Sequence, residues 1–220
     1  MPSTEARKAF DNNCEDIKRL MEIHTDYGGT GAGYRHQLEV LNKSAIVLLC
    51  AIWEAYCEDL AAEAVEHIVS HAKADGLSKS IKKIVAAELE KDPNEIAVWD
   101  LAGDGWKTVM RERLAKLQKD RNRRLNTPKA IEIQELFKQA LGIDDITAKW
   151  YWAGMSVQNA RNKLNKFVEL RGDIAHRGKP NTTCSKDKVT DFLNHVTRLV
   201  GKTGGGVNTC VKSITKKSLW

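Results

Sequence analysis

An apolar stretch in the first quarter of the chain constrains the fold more than any other feature of the sequence. Residues 45–53 read Ala-Ile-Val-Leu-Leu-Cys-Ala-Ile-Trp, and a glutamate follows at once. They lie in the middle of a segment, from about Arg35 to Lys73, whose pattern predicts one long helix. A helix that is apolar all round is normally covered on several sides. Since the stretch is much shorter than the ~18 residues of a membrane span, we expect a central helix in a globular core.

The rest of the chain follows the helical period of 3.6 residues, with no strand alternation and no internal repeat. Residues 93–107, which hold Trp99 and Trp106, look like a loop. The pattern therefore predicts an all-α fold, a helical bundle with one or two inserted helices and a single domain over residues 1–200. The tail, residues 201–220, is rich in glycine and lysine, and we expect it to be loosely ordered. The other predicted helices cover 4–24 with Thr4 as cap, Ser78 to Asp92, 108–119, Thr127-Pro128 to Gly142, Ser156 onward, and 185–200.

Composition excludes several classes of protein. Lys and Arg total 35 against 29 Asp and Glu, so the net charge of +6 permits a polyanionic partner without requiring one. No secretory signal is visible at the N-terminus, and no membrane segment is expected. The cysteines are odd in number, scattered and without a Cys-x-x-Cys pair, which is typical of a reduced, cytoplasmic protein. They are Cys14, Cys50, Cys57, Cys184 and Cys210.

Three local patterns can each be interpreted as a functional site or as ordinary structure. Gly201-Lys202-Thr203 lacks the earlier glycine and the preceding strand of a phosphate-binding loop, so we set that reading aside. His67 and His71 share a helix face but have no third ligand, and we expect solvated histidines and no metal or cofactor. Residues 111–129 hold eight Lys or Arg and two acids. This segment, densest at Arg121, Arg123 and Arg124, is either a solvated helix end or a surface that contacts RNA phosphates.

Arg171 needs an explanation because it lies on the apolar side of the helix that starts near Ser156. A charge on such a face must be paired, snorkelling or solvated in a cleft. His176 is five residues further on, which is ~140° and ~7.5 Å on an unbroken helix. Helix geometry alone would therefore keep the two groups apart. Gly172 could bend or end the helix and Asp173 could cap a new turn, which would let the arginine approach the imidazole.

The string Arg171-Gly172-Asp173-Ile174-Ala175-His176 resembles the Arg-x(4–6)-His signature of the HEPN superfamily, the small helical domains of prokaryotic toxin and defence systems. Residues 52–60, Ile-Trp-Glu-Ala-Tyr-Cys-Glu-Asp-Leu, are similar to a helix of the branch called RiboL-PSP-HEPN. Thr127-Pro128, Leu141-Gly142-Ile143 and Val168-Glu169-Leu170 look like the same branch. The resemblance covers roughly residues 35–200.

The resemblance implies a metal-independent RNA endonuclease that works as a homodimer, with a possible antitoxin or defence-system partner. Arg171 and His176 would be catalytic, and Asp173 would support them, although Gly172 holds the adjacent place where the family more often has the polar residue. Arg177 and Lys179 would contact RNA. Glu54, just past the apolar middle of the central helix, is a candidate to orient Arg171 or else a simple surface carboxylate.

The chemistry is coherent without the resemblance. RNA cleavage through its own 2′-hydroxyl needs a proton acceptor that works near neutrality, which histidine supplies, and a cation beside the phosphorane, which arginine supplies. The expected products are a 2′,3′-cyclic phosphate and a 5′-hydroxyl. Two alternatives stay open: a non-catalytic HEPN-like module that binds RNA or protein, and a helical interaction protein in which Arg171 serves an internal ion pair.

Overall fold

The computed structural model describes residues 3–28, 38–90, 93–94, 96–123, 127–177 and 183–220. The described residues form α-helices with no β-strand, and an isolated bridge joins Trp152 to Met155. The all-α prediction is confirmed. Short 3₁₀ helices span Ala74–Gly76, Ala97–Leu101 and Ile146–Lys149. The α-helices are α1 (Glu5–Gly28), α2 (Glu39–His71), α3 (Lys79–Leu89), α4 (Gly105–Arg123), α5 (Ala130–Leu141), α6 (Val157–Arg177) and α7 (Lys186–Thr215).

Helix α2 is the central element, as its all-round apolar middle predicts. It packs against α1, α4, α5, α6 and α7, and its largest side chain, Trp53, is fully buried. Buried polar groups on α2 find partners in distant segments. The Tyr56 hydroxyl donates to the carbonyl of Val200 at 2.9 Å, and the Asn42 amide donates to the carbonyl of Cys184 at 2.8 Å. These bonds fix α7 and the segment before it against α2, because a buried donor without an acceptor is costly.

Several predicted helix ends are confirmed by the hydrogen bonds that cap them. The Thr4 hydroxyl accepts from the amide of Arg7 at 3.0 Å, and the Ser78 hydroxyl accepts from the amide of Ile81 at 3.2 Å. Helix α5 ends at Gly142, which has the left-handed φ of 68° that glycine tolerates best. No disulfide forms among the five cysteines. Within the described residues, no helix is both long and apolar enough to cross a membrane.

The start of α5 differs from the prediction. We expected Thr127 to cap the helix and Pro128 to be its first residue, but α5 begins at Ala130. The carbonyl of Pro128 accepts from the Trp53 indole at 3.2 Å, and the amide of Ala130 donates to the Asn165 side chain of α6 at 2.9 Å. The cap is therefore supplied by another helix, which local sequence does not reveal. The predicted loop 93–107 also contains a 3₁₀ turn and the first turn of α4, where Trp106 is buried.

The expectation of a loosely ordered tail is wrong for residues 201–215, which continue α7 to Thr215. Val207, Val211 and Ile214 are buried, and this spacing places them on one face of the helix. Burial of that face outweighs the helix-weakening effect of the glycines at 201 and 204–206. Tertiary packing thus decides the end of this helix.

Two neighbouring glycines of α7 provide a matched pair for stability measurements. A Cβ on Gly206 would lie 2.8 Å from Cδ1 of Ile146, whereas a Cβ on Gly205 would meet no atom within 4 Å. We expect Gly205→Ala to raise the free energy of unfolding by about 0.5–1 kcal/mol. Gly206→Ala gains the same helix propensity but overpacks against Ile146, so its free energy of unfolding should be about 1–3 kcal/mol lower than that of Gly205→Ala. Urea unfolding followed by circular dichroism measures both, and equal shifts would contradict the packing described here.

Candidate active site

Arg171 is held against the central helix. Its side chain is half-buried on α6, and its guanidinium lies within hydrogen-bonding reach of the Cys50 thiol on α2. Burial raises the pKa of the Cys50 thiol to about 12, and the positive charge of Arg171 opposes part of that rise. The thiol is therefore neutral and unreactive at physiological pH, and its sulfur lies 4.0 Å from the carbonyl oxygen of Phe167, one turn before Arg171 on α6.

Glu54 follows Cys50 by one turn on α2 and is also half-buried. Its negative charge acts on the Cys50 thiol in the direction that raises the thiol pKa, so the carboxylate, the thiol and the guanidinium are neighbours. The structure thus places Glu54 on the same side of α2 as Arg171. That Glu54 orients Arg171 for catalysis stays a prediction.

Helix α6 runs unbroken through Gly172 and Asp173 to Arg177. The expected bend at Gly172 and new cap at Asp173 are therefore not formed. His176 is exposed, and on a continuous helix it points ~140° away from Arg171. One copy of the chain therefore carries the two groups on different faces of one helix.

Asp173 is half-buried and lines an open groove of about 810 Å³ between α6 and α7. Leu170, Lys166 and Lys163 form part of the same wall, about one, two and three turns before Asp173. An ion pair of 2.6 Å joins Lys163 to Asp191 of α7. Charges of both signs line this groove, so it has no strong preference for an anion.

The predicted RNA-contact residues are largely outside what the structure describes. Lys179 and Arg124 lie outside the described residues. Arg121, Arg123 and Arg177 are in the last turns of α4 and α6, and their side chains are not described. Their contact with RNA stays a prediction.

Sequence reasoning missed the part that Cys50 plays beside Arg171. From the sequence, Cys50 is only one of five scattered cysteines, and the structure shows it to be fully buried. The available signal was the spacing of Cys50 and Glu54, four residues apart and hence on one face of α2. What the sequence could not supply was the register in which α6 packs on that face.

The structure shows the surroundings of two further sequence patterns, Gly201-Lys202-Thr203 and the pair His67 and His71. Thr203 is buried inside α7 and its hydroxyl accepts from the Trp150 indole at 2.9 Å, so Gly201-Lys202-Thr203 is not a phosphate loop. His71 is exposed as expected, but His67 is half-buried with an unpartnered Nε2, and burial lowers its pKa. No group of three or more metal-ligating side chains occurs in the part of the chain that the structure describes.

The comparisons with known proteins agree with this architecture. Neither the curated proteins nor the solved structures include a match to the chain. A family model, described as RiboL-PSP-HEPN, matches residues 12–204, which include all of α2 and α6. The match spans most of the sequence, and the chain belongs to the RiboL-PSP-HEPN family.

Proposed function

We propose that this protein is a metal-independent RNA endonuclease of the toxin or antiphage-defence type, in which Arg171 and His176 carry out the reaction in a homodimer. The HEPN superfamily includes ribonucleases, which makes this activity a natural one for the chain. The observation that carries the proposal is the placement of Arg171. Its guanidinium is anchored beside Cys50 yet only half-buried, so it is both fixed and accessible.

The geometry of α6 favours a site built from two copies. Arg171 and His176 diverge on one unbroken helix, so a phosphate touched by both groups of one chain is hard to accommodate. A second copy that brings its own α6 alongside would place His176 of the partner subunit near Arg171. The active site would then lie in the cleft between the two helices.

An exposed apolar face of α2 supports the same arrangement. Val40 and Leu48 are 59% and 42% exposed, and Ala51 and Ala55 continue the stripe toward the C-terminal end of α2. Helical spacing places this stripe next to the face that holds Cys50 and Glu54. An apolar surface on an otherwise central helix is typical of a protein–protein contact. We therefore place the dimer contact on the α2 stripe.

The proposed reaction needs only groups that the chain supplies. His176 accepts the proton of a ribose 2′-hydroxyl, and the 2′ oxygen forms a bond to the adjacent phosphorus. The bond from phosphorus to the 5′ oxygen breaks, and that oxygen takes up a proton from a solvent water. Arg171 stabilises the negative charge of the phosphorane because its guanidinium stays charged and matches two phosphate oxygens.

The products test the mechanism directly. Purified protein incubated with a labelled RNA in the presence of EDTA should leave a 2′,3′-cyclic phosphate on one fragment and a 5′-hydroxyl on the other, identified by mass spectrometry. The chelator should change the rate by less than twofold. A 5′-phosphate product, or complete inhibition by EDTA, would exclude the proposed chemistry. RNA binding that weakens steeply with salt, without cleavage, would instead favour the non-catalytic binding module.

A charge on the α2 stripe should separate the copies. We expect Leu48→Glu to convert the dimer to a monomer and to lower RNA cleavage at least tenfold, because burying the new carboxylate in an apolar contact is unfavourable. Sedimentation velocity gives the oligomeric state, and the cleavage assay gives the rate. Val98→Glu is the matched control, since Val98 is 53% exposed in the 3₁₀ helix Ala97–Leu101, away from α2. A Leu48→Glu protein that remains dimeric would place the contact elsewhere.

A further inference from the structure

A second cavity, of about 420 Å³, lies where the first turn of α1 meets the middle of α7. We call it the Arg7 pocket, and its walls include Arg7, Asp11, Tyr56, Gly201, Gly205 and Trp220. Tyr56 and Cys50 are six residues apart on α2, hence ~120° apart around that helix. The Arg7 pocket is therefore on a different side of α2 from Arg171. Its volume is in the range of ~300–1,000 Å³ that small-molecule sites occupy.

An ion pair forms the polar wall of the Arg7 pocket. Nε of Arg7 lies 2.9 Å from both carboxylate oxygens of Asp11, and the two side chains are 34% and 53% exposed. Within the described part of the chain, the structure gives the Arg7 side chain no other hydrogen bond, so the two Nη groups keep their donors. The Arg7–Asp11 pair thus presents hydrogen-bond donors and acceptors side by side. The N-terminal amides of α1 already have an acceptor, since the amides of Glu5 and Ala6 donate to the Glu63 carboxylate.

The Trp220 ring forms another wall of the Arg7 pocket. The Trp220 indole is 37% exposed and passes over Gly204, whose Cβ would lie 3.6 Å from the ring. The amide of Leu219 donates to the Asn208 side chain at 2.8 Å, which fixes the chain just before Trp220. The pocket therefore combines a flat apolar surface with a polar edge.

Glycines supply most of the α7 side of the pocket: Gly201, Gly204 and Gly205 line it together with Val200. A Cβ on Gly201 or on Gly205 would meet no atom within 4 Å, so packing within the chain does not demand glycine at either position. Glycine inside a helix nevertheless weakens it relative to alanine. Larger residues at these two positions would project into the Arg7 pocket and fill it. The glycines thus keep the cavity open, and its walls offer an ion pair and an aromatic ring to a ligand.

We propose that the Arg7 pocket binds a guanine base. The purine ring stacks on Trp220, as bases do on exposed aromatic side chains. The Nη groups of Arg7 donate to O6 and N7 of guanine, and the Asp11 carboxylate accepts from its N1–H and N2–H groups. Adenine has an amino donor where guanine has O6, and it has neither the N1–H nor the N2–H donor. It would therefore place a donor against Arg7 and offer no donor to Asp11. The base comes either from a free guanine nucleotide or from a guanosine within an RNA strand.

The test uses the full-length chain carrying His176→Ala, so that RNA is not cleaved during the measurement. Calorimetry measures the affinity for guanosine monophosphate and for the RNA pentamer UUGUU, against adenosine monophosphate and UUAUU. We expect guanine to bind at least tenfold more tightly than adenine in one or both forms. Binding of the nucleotide alone identifies a free ligand, and binding of the pentamer alone identifies RNA.

Variants of the pocket then separate recognition from folding. Arg7→Gln should weaken guanine binding at least tenfold, whereas Arg19→Gln, an exposed arginine on the same helix, should not change it. Gly205→Leu should also weaken binding at least tenfold without lowering the melting temperature, since the side chain fills empty space. Equal binding of guanine and adenine, or full binding by both Arg7→Gln and Gly205→Leu, would overturn the proposal. RNA cleavage by the unmutated chain is measured separately, so failure of that assay leaves this result intact.

Discussion

Replacing His176 by alanine should lower the rate of RNA cleavage by about 10²–10⁴-fold, the usual contribution of a general acid–base group. The fold and the proposed dimer should persist, because His176 is exposed near the end of α6. Single-turnover cleavage of a labelled RNA gives the rate, and circular dichroism with sedimentation velocity gives the fold and the assembly.

The matched control for this experiment is His71→Ala, an exposed histidine at the end of α2. It removes the same side chain from a helix end outside the proposed site and should leave the cleavage rate unchanged. Growth of cells that express each protein offers an independent readout, since a toxic nuclease should become harmless only through His176→Ala. Cleavage by His176→Ala at the unmutated rate would refute the assignment of this residue.

Acid should destabilise the protein through His195, and this is the second large effect that we expect. His195 is 3% exposed on α7, its Nε2 lies 3.1 Å from the carbonyl of Ala160, and its Nδ1 is buried without a partner. Burial lowers the pKa of His195 to about 4, from a value near 6.5 in the unfolded chain. Between these values the unfolded chain binds a proton that the folded chain does not. Stability is therefore complete above about pH 6.5 and falls as the pH drops toward 4, by about 3 kcal/mol in total.

Urea unfolding at a series of pH values between 7 and 4.5 measures this loss. In His195→Gln, whose amide can still donate to Ala160, the fall in free energy of unfolding over that range should be smaller than in the unmutated chain by about 2–3 kcal/mol. Carboxylates contribute equally to both proteins and cancel in the difference. His71→Gln should follow the unmutated curve. If the His195→Gln and unmutated curves run parallel, the imidazole does not stay neutral in the fold.

The sequence predicts those parts of the fold that depend on local signals. Thr4 and Ser78 cap their helices and Gly142 ends α5, because each acts on backbone groups within a few residues. The all-round apolar middle of α2 was enough to identify the central helix. The end of α7 was misjudged because four glycines outweighed the apolar spacing of Val207, Val211 and Ile214, which was present in the sequence.

The sequence predicts the candidate site residues within a single helix, but not their contacts with other helices. Arg171 and His176 could be singled out because a charge on an apolar face and a nearby histidine are visible in one stretch of sequence. Their surroundings depend on how α6 packs against α2, which are separated by more than eighty residues along the chain. The contact with Cys50 and the continuity of α6 through Gly172 follow from that packing, so they had to be seen in the structure.

The distance along the chain between α2 and α7 has a consequence for synthesis on the ribosome. Tyr56 and Asn42 find their acceptors only when residues 184–200 arrive, more than a hundred residues after α2 is complete. At ~5–20 residues per second, the side of α2 that α7 covers stays exposed for roughly 5–30 s of translation. Premature termination before α7 would therefore release a chain in which this side of the central helix has no partner, even though α1, α4, α5 and α6 are complete.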